Sequence, residues 1–241
     1  YAFAYHNTPG RPTGQIGLCK GPGNCASRGM KITLNGKTSH AAAPEDGVSP
    51  AQAMAHLIQE LPQIGLGGAM QNDFALATLT HASLGEPSFG IAPGAGELRL
   101  TLRSQTDGRM ERMVSDAQSL VASAVDTDRH LTAEITWHEI FLATVNANEA
   151  VTIAGRAAAD LGLAIHQMDA PMRWSEDFGR FGLDGAIAAM VFIGSGEDQP
   201  QLHNPNFDFP DALIPVGVSL FVTIIDQILS ASANTSALAH G

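Results

Sequence analysis

The sequence predicts an α/β chain into which a ferredoxin-like module is inserted, and three observations lead there. Residues 30–141 run through strand and helix patterns in the order β-α-β-β-α-β, the order of one antiparallel sheet with two helices on one face. The segments on either side contain strands that are apolar on both faces, near residues 1–5 and 186–196, as in sheets covered on both sides. A composition of 44% hydrophobic and 15% charged residues over 241 positions is rich enough to build such cores. The predicted division is an α/β domain of residues 1–28 and 142–241 around a ferredoxin-like domain of residues 29–141.

The elements follow in order. In YAFAYHNTPG, Tyr1, Phe3 and Tyr5 fall on one side of an extended segment and Ala2 and Ala4 on the other. Strands buried on both faces seldom start a domain, because their neighbours must come from elsewhere. A Gly/Pro-rich connection leads to Met30, Ile32 and Leu34, which alternate with polar residues as in a half-buried strand. Ser49 and Pro50 predict a helix start as N-cap and first helical residue. Ala53, Met54, Leu57, Ile58 and Leu61 continue it at helical spacing. Two alternating strands follow, around residues 73–85 and 97–104, the second with Arg99, Thr101 and Arg103 on a polar face. Met110, Met113, Val114, Ala117, Leu120 and Val121 predict a helix, and residues 131–141 a fourth strand. Beyond residue 146 the pattern predicts a helix capped by Asn148 and stopped at Gly162. Next come a short helix capped by Ser175 with Glu176 and Asp177 in its first turn, an apolar strand ending near residue 196, and a long apolar helix from about residue 212.

A formal net charge of −11 argues against general nucleic-acid binding, which needs a basic surface. The first residues lack the basic and apolar regions of a signal peptide. No uninterrupted run of 18 apolar residues occurs, so no membrane span is expected. Cys19 and Cys25 match no zinc-ribbon spacing and read as two free thiols of a reducing cytoplasm.

Three of the nine histidines stand out because they lie on loops or at strand ends. His6 follows the first strand and opens a turn, His203 follows a glycine-rich strand end, and His40 sits in the loop GKTSHAAAPEDG. His6 and His203 follow strands of one sheet, so their rings can meet at its edge. Neutral imidazole suits Zn, Mn, Ni or Co. Two ligands do not complete a site, and Glu176 or Asp177 could add one carboxylate. There is no G-x-S-x-G elbow, and IGLGGAM follows a helix rather than opening one, so serine-hydrolase and phosphate-loop readings fail.

Five segments, HNTPGRPTGQIG, GMKITLNGKTSHAAAPEDGVSPAQA, TLRSQTDGRM, SEDFGRF and LHNPNFDFPD, occur in this order between residues 6 and 211. Together they resemble the metal-dependent amidohydrolases that include aminoacylases, hippuricases and auxin-conjugate hydrolases, of the same group as the carboxypeptidase G-type peptidases. The resemblance implies a catalytic α/β domain holding two divalent metal ions, Zn or Mn before Ni or Co, and a ferredoxin-like lid that makes a homodimer. It implies that His6 and His203 are metal ligands. It further implies that His40 reaches the partner subunit's reacting group, that Arg103 and Asn7 contact substrate, and that Glu176 and Asp177 support the metal ligands from beside them. The substrate class implied is a small N-acyl amino acid, cleaved at its amide bond.

Two departures matter. Gly90 stands where that family has an asparagine three residues before a lid proline. The family's remaining ligands, a Cys-x-His segment and a Glu-Glu pair with the general base, have no counterpart here. The sequence therefore reads as the carboxyl-terminal portion of such an enzyme, and little activity is expected of these residues alone. The alternative is a catalytically inactive dimerisation or interaction fragment of the same fold.

Overall fold

The computed structural model describes residues 1–71, 73–126 and 130–238, with side chains through residue 231. Its chain divides into two compact units, one of residues 1–23, 144–171 and 177–241, the other of residues 24–143 and 172–176. Strands and α-helices are numbered below in chain order.

The first unit is built on β1 (Ala2–Pro9), β2 (Ile16–Leu18), β11 (Ile165–Gln167) and β12 (Ala188–Gly196), in the spatial order β1-β12-β2-β11. β1 runs parallel to β12 and β11 parallel to β2, while β12 and β2 are antiparallel, so the sheet is mixed. β12 is buried in eight of its nine residues, as its continuous apolar run predicts. β1 differs from expectation. Most of its residues are only half-buried and Tyr1 is 54% exposed, because β1 is the edge strand and only β12 lies beside it.

Helices α3 (Asn148–Asp160) and α5 (Leu213–Leu238) bury Ala150, Ala154, Ala157, Leu220 and Ile224 against Ile16, Ala189, Val191 and Ile193. The alanines of α3 let that helix approach closely. Its cap is Ala147 and not Asn148, which is already the first helical residue. Gly162 ends the helix at φ +67, the left-handed turn that glycine adopts at least cost. Between β1 and β2 the chain turns back across β12. The carbonyl oxygen of Pro12 sits where a Cβ on Gly194 would be. Gly194→Ala is therefore expected to cost about 1–3 kcal/mol of stability through overpacking, measured as a shifted denaturant midpoint; an unshifted midpoint would show that the 10–15 segment yields.

α5 corrects one expectation. By length and composition alone, Leu213–Ala231 is long and apolar enough to cross a membrane. Counting uninterrupted apolar runs missed it, because Ser219, Thr223 and Asp226 interrupt the run without removing its apolar character. Ile214, Val218, Val222, Ile225 and Leu229 are exposed along it, while Leu213, Leu220 and Ile224 are buried.

The second unit holds a sheet of β4 (Ala26–Asn35), β6 (Ala75–Leu84), β8 (Ala95–Ser104) and β9 (Thr132–Phe141), in the order β6-β8-β4-β9 with every neighbouring pair antiparallel. α1 (Ala51–Glu60) and α2 (Asp107–Asp126) cover one face. Met30, Ile32, Leu34, Leu98 and Leu100 meet Ala53, Met54, Leu57, Ala117 and Val121 there. Period-2 alternation sends Lys31, Glu97 and Arg99 to the other face, where Glu97 accepts from both cations. Those two cations hold the Glu97 carboxyl down to about 2. α1 begins one residue later than predicted: Pro50 is the cap position, and the Ser49 hydroxyl accepts from Ala51 N–H at 3.3 Å. A separate two-stranded ribbon, β5 (Ser39–His40) with β7 (Ile91–Ala92), projects His40.

Candidate functional site

The carboxyl ends of β1 and β12 lie side by side, because the two strands are parallel and His6 is registered with Phe192. Sheets of this kind bind ligands at such ends. His6 does not follow the strand as its sequence suggests. β1 continues through Pro9, and His6 lies inside it, half-buried. Its Nδ1 is 2.6 Å from the Asn7 carbonyl oxygen, so that nitrogen carries the proton and donates, and Nε2 is the basic nitrogen of the neutral ring. A hydrogen bond of this type fixes the tautomer and is what a metal-ligating histidine requires.

On the last residues of β1 and β12, three buried polar atoms have no hydrogen-bond partner among the described residues. They are Asn7 Nδ2, Thr8 Oγ1 and Ser195 Oγ. Thr8 and Ser195 are 5% and 3% exposed. A buried unpaired donor or acceptor costs of order 1–3 kcal/mol, and Asn7 and Thr8, adjacent in β1, leave opposite faces of the sheet. Reading residues 186–196 as an apolar strand hid Ser195. The signal was there in FIGSG, a hydroxyl between two glycines at a strand end.

His203 lies in the turn-rich loop after β12, exposed, with φ +66. Left-handed backbone is uncommon for non-glycine residues and concentrates at functional sites. Among the described residues no three His, Cys, Asp or Glu side chains converge as a metal-holding group. Asp177 is exposed and precedes α4 (Gly179–Leu183) in the first unit. The predicted cap of that helix is a correction. α4 starts at Gly179 after Phe178, with no side-chain cap.

Ser175 is used otherwise, within the second unit. Its Oγ accepts from Arg103 Nη1 at 3.2 Å, and the Arg173 carbonyl accepts from the same nitrogen at 3.3 Å. Arg103, on β8, thus holds the 172–176 segment, which ends at the half-buried Glu176. Cys25 N–H donates to the Met172 carbonyl at 3.0 Å and ties the same segment.

His40 is exposed on its ribbon, and its Nδ1 accepts from Ala42 N–H at 3.0 Å. The neutral ring therefore carries its proton on Nε2, pointing a donor away from the ribbon backbone. A donor held this way suits negative charge developing on a carbonyl oxygen.

Cys19 and Cys25 are both free and buried. Burial pushes the Cys25 thiol up to about 11, against a smaller opposing pull from Arg103 and Arg173. Burial also raises Cys19. Neither is a nucleophile near neutral pH, since the thiolate is the reactive form. Both thiols are expected to resist a disulfide reagent at pH 8 until the protein is unfolded; rapid native-state labelling would contradict their burial. The ionised thiol is disfavoured in the fold, so the Cys25 contribution is intact below its ordinary 9.0 and is lost as pH rises from there to about 11.

The sequence profile described as peptidase family M20/M25/M40 matches residues 1–227. An N-acetylcysteine deacetylase of Bacillus subtilis (strain 168) is 25% identical over 229 residues, which is 94% of this chain and 58% of the relative. A second protein of that organism, an N-acetyl-L-cysteine deacetylase, is 26% identical over 209 residues, 87% of this chain and 49% of the relative. The chain thus spans about half the length of the curated relatives it matches. Among solved structures, the Bacillus subtilis YXEP protein, described as a dinuclear metal binding peptidase from the M20 family, superposes with a TM-score of 0.74 at 20% identity, covering 95% of this chain and 57% of that one. The aminobenzoyl-glutamate utilization protein from Klebsiella pneumoniae gives a TM-score of 0.73 at 18% identity, covering 92% of this chain and 53% of that one. At these identities the likeness to the two solved structures speaks for the fold.

Proposed function

The chain belongs to the peptidase family M20/M25/M40, and on that premise we propose that it takes part in metal-dependent hydrolysis of the amide bond of small N-acyl amino acids or similar conjugates. The observation that carries this reading is the tautomer of His6, fixed by its bond to the Asn7 carbonyl near the carboxyl end of β1. His6 and His203 are assigned as metal ligands, through Nε2 in the case of His6. The dinuclear neighbour supports a divalent pair, taken as Zn or Mn before Ni or Co.

The described residues do not themselves fit a complete two-metal centre, since no three ligating side chains converge. What the chain's own residues do is position and polarise. His40 Nε2–H donates to the oxygen on which charge develops as the amide carbonyl is attacked. Arg103, with Nη1 committed to the 173–175 segment, turns its remaining donors to the substrate carboxylate. Asn7 Nδ2 supplies a further donor to substrate. Glu176 and Asp177 support the ligands without binding metal themselves.

The second unit is assigned as a ferredoxin-like lid through which two copies form a homodimer, the edge of β9, or of β6 beyond Ala77, offering the pairing surface. The two free buried thiols fit a reducing, cytoplasmic setting. The lack of a converging ligand trio favours one second reading, a non-catalytic dimerisation module of the same fold. The test is metal content by mass spectrometry together with hydrolysis of N-acetyl and N-benzoyl amino acids with added Zn or Mn. Bound metal that is lost in His6→Ala and His203→Ala, with turnover, supports the enzyme. A dimer with neither metal nor turnover would leave the second reading.

A further inference from the structure

The face of the β6-β8-β4-β9 sheet that α1 and α2 leave open is interrupted by two bulges. Ser27 is registered with Phe141 but Gly29 with His138, so Glu139 and Ile140 together stand opposite Arg28. On the other side of the sheet, Leu79 is registered with Leu100 but His81 with Arg99, which makes Thr80 the extra residue of β6. Bulges re-aim side chains and are over-represented beside functional sites. These two border one cavity of about 430 Å³, within the size range of small-molecule sites. Its walls include Lys31, Thr80, Arg99, Thr101, His138 and Glu139.

Glu139 takes φ +49 at its bulge, left-handed backbone that such a position ordinarily gives to glycine. Strain of this kind concentrates where a side chain is needed for function. Its carboxylate has no hydrogen-bond or ion-pair partner among the described residues. The cations are held from elsewhere. Glu97, which is not among the cavity's walls, takes Arg99 through Nε at 2.6 Å and Lys31 through Nζ at 2.9 Å. The terminal nitrogens Nη1 and Nη2 of Arg99 stay unengaged among the described residues. They form the edge that grips a carboxylate bidentately. One charge of the Lys31 and Arg99 pair is offset by Glu97, and the other faces the single negative charge of Glu139. The cavity thus matches a ligand of no net charge that carries both an anionic and a cationic group, and it does not match a simple anion.

We propose that this cavity binds a free α-amino acid, its carboxylate on the Arg99 guanidinium and its ammonium on the Glu139 carboxylate. β4 lies between β8 and β9, so the two backbones are about 10 Å apart, a span that the long side chains of Arg99 and Glu139 shorten to that of a small zwitterion. The hydroxyls of Thr80 and Thr101 line the space between. His138 Nε2 is 2.9 Å from Thr136 Oγ1, which orients its ring at the same wall. The choice of an amino acid rests on the function proposed above, since hydrolysis of an N-acyl amino acid frees the amino group. Acylation removes the cation that Glu139 holds, so the site takes the product of that reaction and refuses its substrate.

The test titrates L-alanine, N-acetyl-L-alanine and L-alanine amide into the protein and follows the amide NMR shifts of Thr80, Thr101 and Glu139. L-Alanine carries both charges, the acetylated compound lacks the cation and the amide lacks the anion. The expected result is saturable shifts with L-alanine and binding about tenfold weaker or more for the other two, the scale of one lost charge-assisted contact. Arg99→Met and Glu139→Gln should each weaken L-alanine binding by about tenfold. Glu139→Gly should weaken it as much while raising the thermal midpoint, because glycine relieves the left-handed backbone. No shift with L-alanine, or acetate bound at these amides as tightly as L-alanine, overturns the proposal. The assay needs no turnover. L-Alanine bound here by a chain that hydrolyses no N-acyl amino acid upholds the site and overturns the hydrolytic reading, and hydrolysis without binding here does the reverse.

Discussion

His40→Ala is expected to lower kcat for an N-acyl amino acid by about 10²–10³, the usual cost of removing one preorganised donor to a developing oxyanion. The expectation comes from geometry. His40 is exposed on a short ribbon, its Nδ1 is occupied by the Ala42 N–H, and its proton is on Nε2. Such a side chain does little for the fold, so the thermal midpoint of the variant should stay with that of the wild type. The loss should fall on kcat more than on KM, because the donor matters when charge develops. His40→Gln, which still presents an N–H donor, should recover part of the rate. Activity near the wild-type level in His40→Ala would remove this residue from the proposed site, and a matching loss of stability would make its role structural.

The second large effect is expected at Asn146, on β10 (Thr144–Asn146) and 2% exposed. Its Nδ2 donates to the Cys19 carbonyl at 2.9 Å and to the Met190 carbonyl at 3.1 Å, and its Oδ1 accepts from Met190 N–H at 2.9 Å. One side chain thus satisfies backbone groups of β12 and of the connection after β2. Gly23 permits this, since a Cβ there would press on Asn146 Nδ2. Asn146→Ala leaves three buried backbone groups unpaired and should cost about 3 kcal/mol or more, because each unmet buried group carries its own desolvation penalty. Amide exchange at Met190 should accelerate, whereas Asn148→Ala, at an exposed helix start, should leave it unaltered. Slow exchange at Met190 in Asn146→Ala would mean that water replaces the amide at little cost.

Asn146 also shows where sequence reading stops. In LATVNANEA it is one of two asparagines beside a predicted helix, and the capping rule points to Asn148. The rule sees local chemistry only. Both carbonyls that Asn146 meets come from residues far along the chain. Ser175 is a parallel case: followed by Glu176 and Asp177 it reads as a helix cap, yet Arg103 from β8 takes its hydroxyl and the helix starts later. The position of His6 inside β1 was obscured for a related reason. Asn7, Thr8 and Pro9 read as a turn, but pairing with β12 keeps them extended to the strand end.

What the sequence by itself determined is everything set by periodicity. The strand and helix order from Ala26 to Phe141 follows from alternation in β4, β6, β8 and β9 and from 3.6-residue spacing in α1 and α2. The two-sided burial of β12 follows from its unbroken apolar run. Only the tertiary structure decided the mixed direction of the first sheet, the tautomers of His6 and His40 and the buried unpaired polar atoms of Asn7, Thr8 and Ser195. The physical reason is range. Burial patterns are written in the spacing of neighbours along the chain, whereas hydrogen-bond partners and cavities arise from residues that only folding brings together.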